Sequence, residues 1–493
     1  MDQAKQDVVK QESVEEQKAS GPAWIYRALS IETGGIERIT DDDRQHNTTR
    51  FWNATTFWFS ANMAVATLNI GALGGSYGLG FWESFIVILL VNLIGDILPA
   101  WTATFGLSGL RMTTFSRYSF GYWGNLIVVI FSMISTTGWN AINAISGASV
   151  LSALSNGKFP TWAGVIVICT VVYLICVLGI HWIHRLDTFL WIPFLMVWCV
   201  AAGTGASHFT AAVPTGNEHT RSSDKAASIL TYMATIFSFS ISWINCAADY
   251  NVRMPAGTPR WKIFSATYVG IFVPTVLVQT LGAALYTGTL TSAAWKAAYE
   301  DTSIGGLLGM ALSPAGGFGK FLMALAGLSA IPNNIPNNYS FALHAQNLTP
   351  RAARVPRIIW ITFGFVVSLV IGCCAAVYFK DVLQTFLSVI GYWTIIHVTV
   401  VLEEHVIFRR GWKGYNLDEW NDPTRLPFGW AAIGAFAGGL VGAVLGMKVA
   451  WYVGPVAALI GKSGANIGQA MTLGMSGVVF SCFRGVERRY GGR

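Results

Sequence analysis

The chain has 493 residues, of which 53% are hydrophobic and only 12% are charged, and its formal net charge is +7 at pH 7. Together with a mean hydropathy of +0.49, this composition excludes an ordinary soluble domain and predicts a membrane protein with many spans. The basic residues are dispersed along the chain, so the positive charge does not indicate nucleic-acid binding.

Residues 1–50 are polar, mixed in charge and without an apolar signal region. They predict a cytoplasmic, disordered tail and neither a signal peptide nor a span. Lys5, Lys10 and Lys18 are possible sites for ubiquitin, so the partners expected at this tail are the trafficking or ubiquitination machinery.

Twelve apolar segments of about 20 residues, each long enough to cross a bilayer, follow the tail. They begin near Thr55, Phe81, Leu126, Ala163, Thr188, Ala227, Phe264, Phe321, Ile358, Val382, Gly429 and Gly464. Arginines and lysines, among them Arg185, fall in alternate loops, which predicts that both termini are cytoplasmic. We expect a ten-helix core over residues 51–410, a cytoplasmic loop and helices 11 and 12 over 411–484, and a cytoplasmic tail over 485–493.

Spans one and six are each interrupted by small and polar residues, Ser60-Ala61-Asn62 in the first and Ser242-Trp243 with Asn245 in the sixth. Broken helices five spans apart are typical of inverted repeats, here about 51–210 and 225–410. Glycines 71, 74 and 75 serve either close packing or a further break. The predicted fold is an all-α polytopic membrane protein with twelve transmembrane helices, a 5+5 inverted repeat and two extra helices.

Span eight contains the run Ala330-Ile331-Pro332-Asn333-Asn334-Ile335-Pro336-Asn337-Asn338-Tyr339. An amide without a partner costs several kcal/mol in an apolar medium, and each proline removes a backbone N–H from the helix. The run therefore predicts a helix opened by Pro332 and Pro336 where the amides cluster, and a binding site, with the four asparagines as ligand contacts or supports between helices.

Trp139 and Asn143 lie four residues apart in span three and therefore on one helix face. Trp243 lies in the predicted break of span six. Aromatic faces stack on flat rings, and an amide can pair two-pronged with the polar edge of a base. Because these positions have no nearby arginine or lysine, they predict a site for a small planar heterocycle and not for an anion.

Asp96 is an ionisable residue inside span two and is either a proton relay or a carboxylate bound to a neighbouring helix. No catalytic motif of the hydrolase, metalloprotease or nucleotide-binding kinds occurs, so we expect no enzyme. The seven cysteines show no spacing typical of zinc or redox sites, and we expect no metal and no cofactor.

Several motifs give the chain, from about Ala28 to its C-terminus, a resemblance to the nucleobase-cation-symport-1 family, and within it to the fungal purine-cytosine permeases. They are Trp58-Phe59-Ser60-Ala61-Asn62-Met63, Gly138-Trp139 with Asn143, Trp243 with Ala247-Ala248-Asp249-Tyr250, Met254-Pro255, Asn333-Asn334-Ile335-Pro336-Asn337, and Leu459-Ile460-Gly461-Lys462.

The resemblance implies a leucine-transporter-type fold, a plasma-membrane location and proton-coupled import of cytosine, adenine, guanine and hypoxanthine by alternating access. It implies that the base is bound by Trp139, Asn143, Trp243 and Asn337, with Ser60 as a further contact. In the sodium-coupled bacterial branch, hydroxyl side chains of span eight help bind sodium. The matching positions here are Ile331 and Pro332, which cannot ligate a cation, so we expect coupling to protons instead.

Several alternatives remain open from the residues alone. The same slot suits uracil, allantoin, hydantoin or a thiamine-like compound, since a flipped amide can meet a uracil edge. A nutrient receptor that binds without transport, and a channel, are the rivals from other classes.

Overall fold

The structure, a computed structural model, describes residues 35–44, 51–178, 180–212, 222–255, 257–376 and 379–491. The predicted N-terminal tail, with its three lysines, therefore lies outside the described residues apart from 35–44. Within these ranges the α-helices are α1 (Phe51–Asn62), α2 (Val65–Ser76), α3 (Phe81–Gly95), α4 (Ile97–Ala103), α5 (Met112–Phe115), α6 (Arg117–Phe120), α7 (Asn125–Leu154), α8 (Thr161–Leu178), α9 (Ile180–Gly205), α10 (Ser222–Ser240), α11 (Arg260–Thr291), α12 (Ala293–Thr302), α13 (Ile304–Leu312), α14 (Gly316–Leu328), α15 (Ala330–Gln346), α16 (Pro350–Ala353), α17 (Arg357–Ala375), α18 (Phe379–Glu403), α19 (Trp430–Gly446) and α20 (Gly468–Gly491).

Eight helical segments of the described chain are long and apolar enough to cross a membrane, and α19 and most of α8 are shorter apolar helices. The first predicted span, divided into α1 and α2, and the last, α20, belong to neither group. The membrane-spanning, largely helical architecture is thus confirmed, while the number of twelve spans stays a prediction.

The predicted interruptions of spans one and six are confirmed. The first span breaks after Asn62, and the free N–H of Val65 at the start of α2 donates to Ser329 Oγ at 3.1 Å. In the sixth span α10 ends at Ser240, and the 3₁₀ turns Ile241–Asn245 and Ala247–Tyr250 continue it. A side chain or turn satisfies backbone groups that an unbroken helix would pair internally.

The glycines of α2 serve packing and not a further break. A Cβ on Gly71 would lie 1.9 Å from the carbonyl oxygen of Gln279 in α11, and one on Gly75 would lie 2.0 Å from the ring of Tyr286. The helix continues through both positions, so the absence of a side chain lets α2 and α11 approach closely.

The predicted opening of span eight by Pro332 and Pro336 is wrong. The interruption lies earlier, at Ser329 between α14 and α15, and α15 runs without a break from Ala330 to Gln346. Because α15 starts at Ala330, Pro332 falls in its first turn, where a backbone N–H has no intrahelical acceptor. Pro336 lies inside the helix, and amide hydrogen bonds from the neighbouring asparagines tie this part of α15 to other helices.

Three further details differ from the sequence-based expectations. Arg185, expected in a loop, lies within α9, and the predicted C-terminal tail begins inside α20, which extends to Gly491. Between α19 and α20, Lys448–Val449 and Tyr452–Val453 form an antiparallel β-hairpin in the otherwise helical chain.

The interrupted spans and the two long helices α7 and α15 meet in the interior. Helix α7 packs against α8, α15 and α17, while α11 packs against α1 and α2. Trp58 of α1, Ala144 of α7, Trp243 and Ile335 of α15 belong to one buried apolar cluster. This junction gathers Trp58, Trp243 and the asparagine run of α15, whereas Trp139 packs in a neighbouring buried cluster with Phe239.

Candidate binding site between the interrupted helices

Trp243 is held by the interrupted first span. Its indole N–H donates to Asn62 Oδ1 at 3.1 Å, and Asn62 Nδ2 donates to the carbonyl of Trp58 at 2.8 Å. The rings of Trp58 and Trp243 meet edge to face with centroids 5.2 Å apart. Because the indole N–H is already bonded, Trp243 can offer a ligand its ring face but not its hydrogen-bond donor.

Asn143 of α7 is locked by two asparagines of α15. Its Nδ2 lies 2.5 Å from Asn333 Oδ1 and 2.9 Å from Asn334 Oδ1. An amide nitrogen has only two hydrogens, so both are engaged. Asn143 Oδ1 has no hydrogen-bond partner among the described residues. The two-pronged pairing predicted from the sequence is therefore reduced, at Asn143, to a single acceptor.

The orientation of the two asparagines that hold Asn143 is itself determined by backbone carbonyls. Asn333 Nδ2 donates to the carbonyl of Ala61 at the break of span one. Asn334 Nδ2 donates to the carbonyl of Asn140 at 2.9 Å. With their nitrogens occupied in this way, both side chains turn their oxygens toward Asn143, so the three amides form one directional network.

The other two asparagines of α15 have different surroundings. Asn337 Nδ2 donates to the carbonyl of Asn333 at 2.9 Å, one turn earlier in the same helix. Asn338 Oδ1 points toward α17, where it lies 3.1 Å from the position that a Cβ on Gly364 would take. Asn333 and Asn334 are thus contacts between helices, as the sequence allowed, and Asn337 remains the predicted ligand contact.

Trp139 lies one turn from Asn143 on α7. Its ring meets Phe239 of α10 and Phe386 of α18 edge to face, with centroids 5.6 and 5.5 Å apart. Its indole N–H has no acceptor among the described residues. Helix α7 therefore presents one unpaired donor and one unpaired acceptor a turn apart.

All five predicted binding residues are closed off from solvent. Trp139 and Trp243 are 4% exposed, Asn337 is 3% exposed, and Ser60 and Asn143 are fully buried. In the same buried cluster as Trp243, Tyr250 packs on Phe57 with ring centroids 4.5 Å apart, and its hydroxyl donates to the carbonyl of Pro336 at 2.9 Å. The predicted binding residues therefore lie in a closed interior.

Asp96, the predicted proton relay, lies apart from the amide network. It is fully buried between α3 and α4, and neither carboxylate oxygen has a hydrogen-bond partner among the described residues. The hydroxyl of nearby Ser240 donates instead to Asn92 Oδ1 at 2.7 Å. Asp96 therefore borders the end of α10 but does not touch Trp139 or Asn143.

Sequence comparison identifies the family. The family described as "Permease for cytosine/purines, uracil, thiamine, allantoin" matches residues 42–467. The chain belongs to this family. The permease is 34% identical to purine-cytosine permease FCY2 of Saccharomyces cerevisiae, over 97% of its length and 91% of the relative. It is 34% identical to purine-cytosine permease fcyB of Emericella nidulans, over 94% and 90%. Both relatives are permeases, so the chain is a transporter of this class and not an enzyme.

Solved structures show the same fold. Mhp1, a nucleobase-cation-symport-1 family transporter, matches in a closed conformation with bromovinylhydantoin bound at a TM-score of 0.70, with 14% identity over 93% of the permease and 96% of that chain. Its inward-facing conformation matches at 0.63, with 14% identity over 93% and 94%. The leucine-transporter-type fold is thereby confirmed.

Sequence reasoning did not single out every residue of this junction. In the sequence, Asn62, which orients Trp243, is marked only by the interruption of span one. Its position four residues after Trp58 is the signal that could have indicated its hydrogen bond to the Trp58 carbonyl. Phe239 and Phe386, which flank Trp139, gave no signal, because one more apolar residue in an apolar span is indistinguishable from lipid-facing or core residues.

Proposed function

We propose that this permease imports cytosine and the purine bases adenine, guanine and hypoxanthine across the plasma membrane by proton symport with alternating access, with both termini in the cytoplasm. The proposal is supported by the similarity to two purine-cytosine permeases and by the buried aromatic and amide residues of the central site. Its ligand stacks on Trp139 and Trp243, and Asn143, Asn337 and Ser60 contact its polar edge.

The observation that carries the proposal is the locked amide of Asn143. Its unpaired Oδ1 requires a donor from the ligand, and the 4-amino group of cytosine is such a donor. Uracil has a carbonyl at this position, which Asn143 could meet only by turning its amide over. That turn would break both bonds to Asn333 and Asn334 and place Oδ1 against two oxygens. With the 4-position of a pyrimidine facing Asn143, the locked amide thus favours cytosine over uracil.

A proton as the coupling ion agrees with the contacts between the broken first span and α15. The carbonyl of Ala61 accepts from the amide of Asn333, and Ser329 Oγ accepts from Val65 and donates to the carbonyl of Ala326. Ile331 and Pro332, at the positions matched to sodium-binding hydroxyls, have no oxygen in their side chains. Hydrogen bonds within the chain thus join span one to α15.

The membrane potential suffices to drive such transport. Moving one positive charge inward releases about 2.3 kcal/mol per 100 mV, which corresponds to an accumulation of about fifty-fold at equilibrium. Asp96, interpreted from the sequence as either a proton relay or a carboxylate bound to a neighbouring helix, is buried and has no hydrogen-bond partner among the described residues.

Uptake of radiolabelled cytosine in cells that lack their own base transporters tests the proposal. Competition by adenine, guanine, hypoxanthine, uracil and pyridoxine measures specificity. Pyridoxine is included because the permease is 29% identical to the vitamin B6 transporter TPN1 of Saccharomyces cerevisiae, over 96% of its own length and 90% of that relative. We expect competition by the purines, little by uracil, higher uptake at acidic external pH and no effect of replacing sodium. Preference for uracil or pyridoxine would overturn the substrate, and sodium dependence would overturn the coupling ion.

The variant Asn337→Ala tests the predicted ligand contact. We expect loss of cytosine uptake while the protein still reaches the plasma membrane, as measured by surface labelling. Asn338→Ala, which truncates the amide that faces α17, is the matched control and should retain uptake. Normal uptake by Asn337→Ala would remove Asn337 from the site.

The partners proposed for the tail are tested separately. Replacing Lys5, Lys10 and Lys18 by arginine should slow removal of the permease from the plasma membrane without changing its affinity for cytosine. Unchanged turnover of the triple variant would exclude these lysines as ubiquitin sites.

A further inference from the structure

His397 of α18 is a buried histidine with a polar partner on each ring nitrogen. It is 1% exposed. Its Nδ1 lies 2.8 Å from Asn245 Oδ1, and its Nε2 lies 2.7 Å from the hydroxyl of Ser116. The ring stacks on Trp393 with centroids 6.0 Å apart and planes 15° apart. A histidine inside a membrane protein with both nitrogens bonded is a candidate for proton binding.

The hydrogen count around His397 leaves room for one extra proton. The hydroxyl of Ser116 also lies 2.9 Å from the carbonyl of Met112, to which it can donate. A hydroxyl has one hydrogen, so if that hydrogen goes to Met112, the Nε2 of His397 must donate to Ser116. Since Asn245 Oδ1 accepts from Nδ1, both ring nitrogens then carry hydrogens, which is the imidazolium. In the neutral ring, either Ser116 donates to Nε2 and releases Met112, or the amide of Asn245 turns over and its Nδ2, which has no partner among the described residues, donates to Nδ1.

This proton site is joined to the central site through one short turn. Asn245 is the last residue of the 3₁₀ turn Ile241–Asn245, and the same turn carries Trp243, whose indole bonds to Asn62. A change in the bond between His397 and Asn245 therefore acts on the turn that positions Trp243. Only Ile244 lies between Trp243 and Asn245, and all three residues are buried.

On its other side, His397 contacts Ser116, which lies beside the hydrogen bonds that join α5 to Asp249 and α15. Ser116 directly follows α5, and the backbone N–H of Met112 at the start of α5 donates to Asp249 Oδ1 at 3.1 Å. Asp249 Oδ2 accepts from the hydroxyl of Ser340 in α15 at 2.9 Å. Loss of the proton from His397 can therefore release the hydroxyl of Ser116 from the carbonyl of Met112, the residue whose N–H is bonded to Asp249.

The charged and titratable groups around His397 are paired with other partners. His344 of α15 lies close enough to interact electrostatically with it and bonds through Nδ1 to Thr113 Oγ1 at 3.3 Å. Other ionisable side chains on the packed elements, with their partners, are Asp249 with Met112 and Ser340, Arg111 with the carbonyl of Asp249, Arg117 with Asn421 and Asn347, Glu403 with Ser481, His405 with Tyr415, and Glu404 with Arg409 and Arg484. Among the described residues no carboxylate bonds to His397, so its proton is held by two neutral acceptors and can be released.

We propose that His397 binds the coupling proton, and that Asn245 transmits its protonation to the turn that holds Trp243. The inference rests on the proposed import of nucleobases and deepens it by naming the proton site. His397 is a positioning and proton-binding residue and does not touch the base. Protonated His397 keeps Ser116 on Met112, while loss of the proton can release that bond.

The test uses the purified permease in proteoliposomes that contain a pH-sensitive dye. Addition of external cytosine should acidify the lumen in the wild type, and exchange of radiolabelled for unlabelled cytosine measures transport without net proton flow. In His397→Gln we expect acidification per cytosine taken up to fall at least tenfold, while exchange stays within about threefold of the wild type. His344→Gln, which replaces an equally buried histidine, is the control and should keep acidification.

A second variant keeps the proposal testable if His397→Gln does not fold. Asn245→Asp places a carboxylate against Nδ1, which should stabilise the imidazolium and shift the pH midpoint of uptake upward by about one unit or more. An unchanged midpoint in Asn245→Asp, or full acidification in His397→Gln, would overturn the proposal. Acidification lost only in Asp96→Asn would assign the proton to Asp96 and also overturn it.

Failure of the proposed function gives a different result. If the wild type takes up none of the bases, the transport assignment is wrong. If it takes up cytosine without lumenal acidification, base transport stands, but coupling to protons, and with it the role of His397, is overturned.

Discussion

Replacing Asn334 by leucine should weaken discrimination between cytosine and uracil without removing any group that touches the base. Asn334 supplies one of the two oxygens that hold the amide of Asn143, at 2.9 Å. Leucine has a similar size but no acceptor, so in Asn334→Leu only the bond to Asn333 keeps the amide in place. The amide of Asn143 can then turn over at lower cost and accept a uracil edge.

The magnitude follows from the number of hydrogen bonds. A hydrogen bond within a protein contributes about 1 kcal/mol net. Turning the amide of Asn143 therefore costs at least about 2 kcal/mol in the wild type, where both bonds break, and about 1 kcal/mol in Asn334→Leu. Since about 1.4 kcal/mol is a factor of ten, the preference for cytosine over uracil should fall from about thirty-fold or more to about five-fold.

Competition against uptake of radiolabelled cytosine measures this preference as the ratio of inhibition constants for uracil and cytosine. Asn338→Leu is the matched control, because Asn338 lies on the same helix, is equally buried and does not contact Asn143. Its ratio should equal that of the wild type. A ratio unchanged in Asn334→Leu, or lowered equally in both variants, would refute the role assigned to the locked amide.

Three other substitutions test the packing, the stacking and the buried charges. Gly71→Ala should lower the melting temperature in detergent, because its Cβ would lie 1.9 Å from a backbone carbonyl of α11, whereas Gly474→Ala, with nothing within 4 Å, should not; equal melting temperatures would contradict close packing. Trp243→Ala should raise KM for cytosine by about tenfold, since stacking contributes about 1–3 kcal/mol, and Trp243→Phe should raise it less; equal KM values in all three proteins would exclude stacking. Glu404→Gln should destabilise the protein by about 3 kcal/mol, because its carboxylate, which is 1% exposed, binds the guanidinium groups of Arg409 and Arg484. The exposed variant Glu300→Gln is the control. Equal losses of stability in thermal unfolding of the two variants would show that the buried network contributes nothing.

Much of the fold could be predicted because membrane insertion imposes simple rules on the sequence. Apolar segments marked the positions of the spans, and small polar residues marked the interruptions after Asn62 and at Trp243. The rules failed where neighbours decide. Pro336 indicates a break when only its own helix is considered, yet α15 continues through it, since amide bonds to other helices hold the segment in place.

At the candidate site too, some features follow from the local sequence and others depend on neighbouring helices. The residue types and spacing of Trp139 and Asn143 could be interpreted from the sequence, because a helix places residues four apart on one face. Which atom of Asn143 remains available could not, since it depends on oxygens of Asn333 and Asn334 that lie 190 and 191 residues later in the chain. Likewise, nothing near His397 in the sequence indicates Ser116 or Asn245.

The sequence by itself determined the membrane class, the broken spans, the family and the residue types of a site for a flat ring, because these depend on composition, local spacing and motifs. The tertiary structure alone decided how those residues act. It assigned the glycines of α2 to packing, left Asn143 a single acceptor, bonded the indole of Trp243 to Asn62, and placed His397 between Asn245 and Ser116. The physical reason is that a hydrogen bond depends on the direction and occupancy of both partners, and the partners here come from segments far apart in the chain.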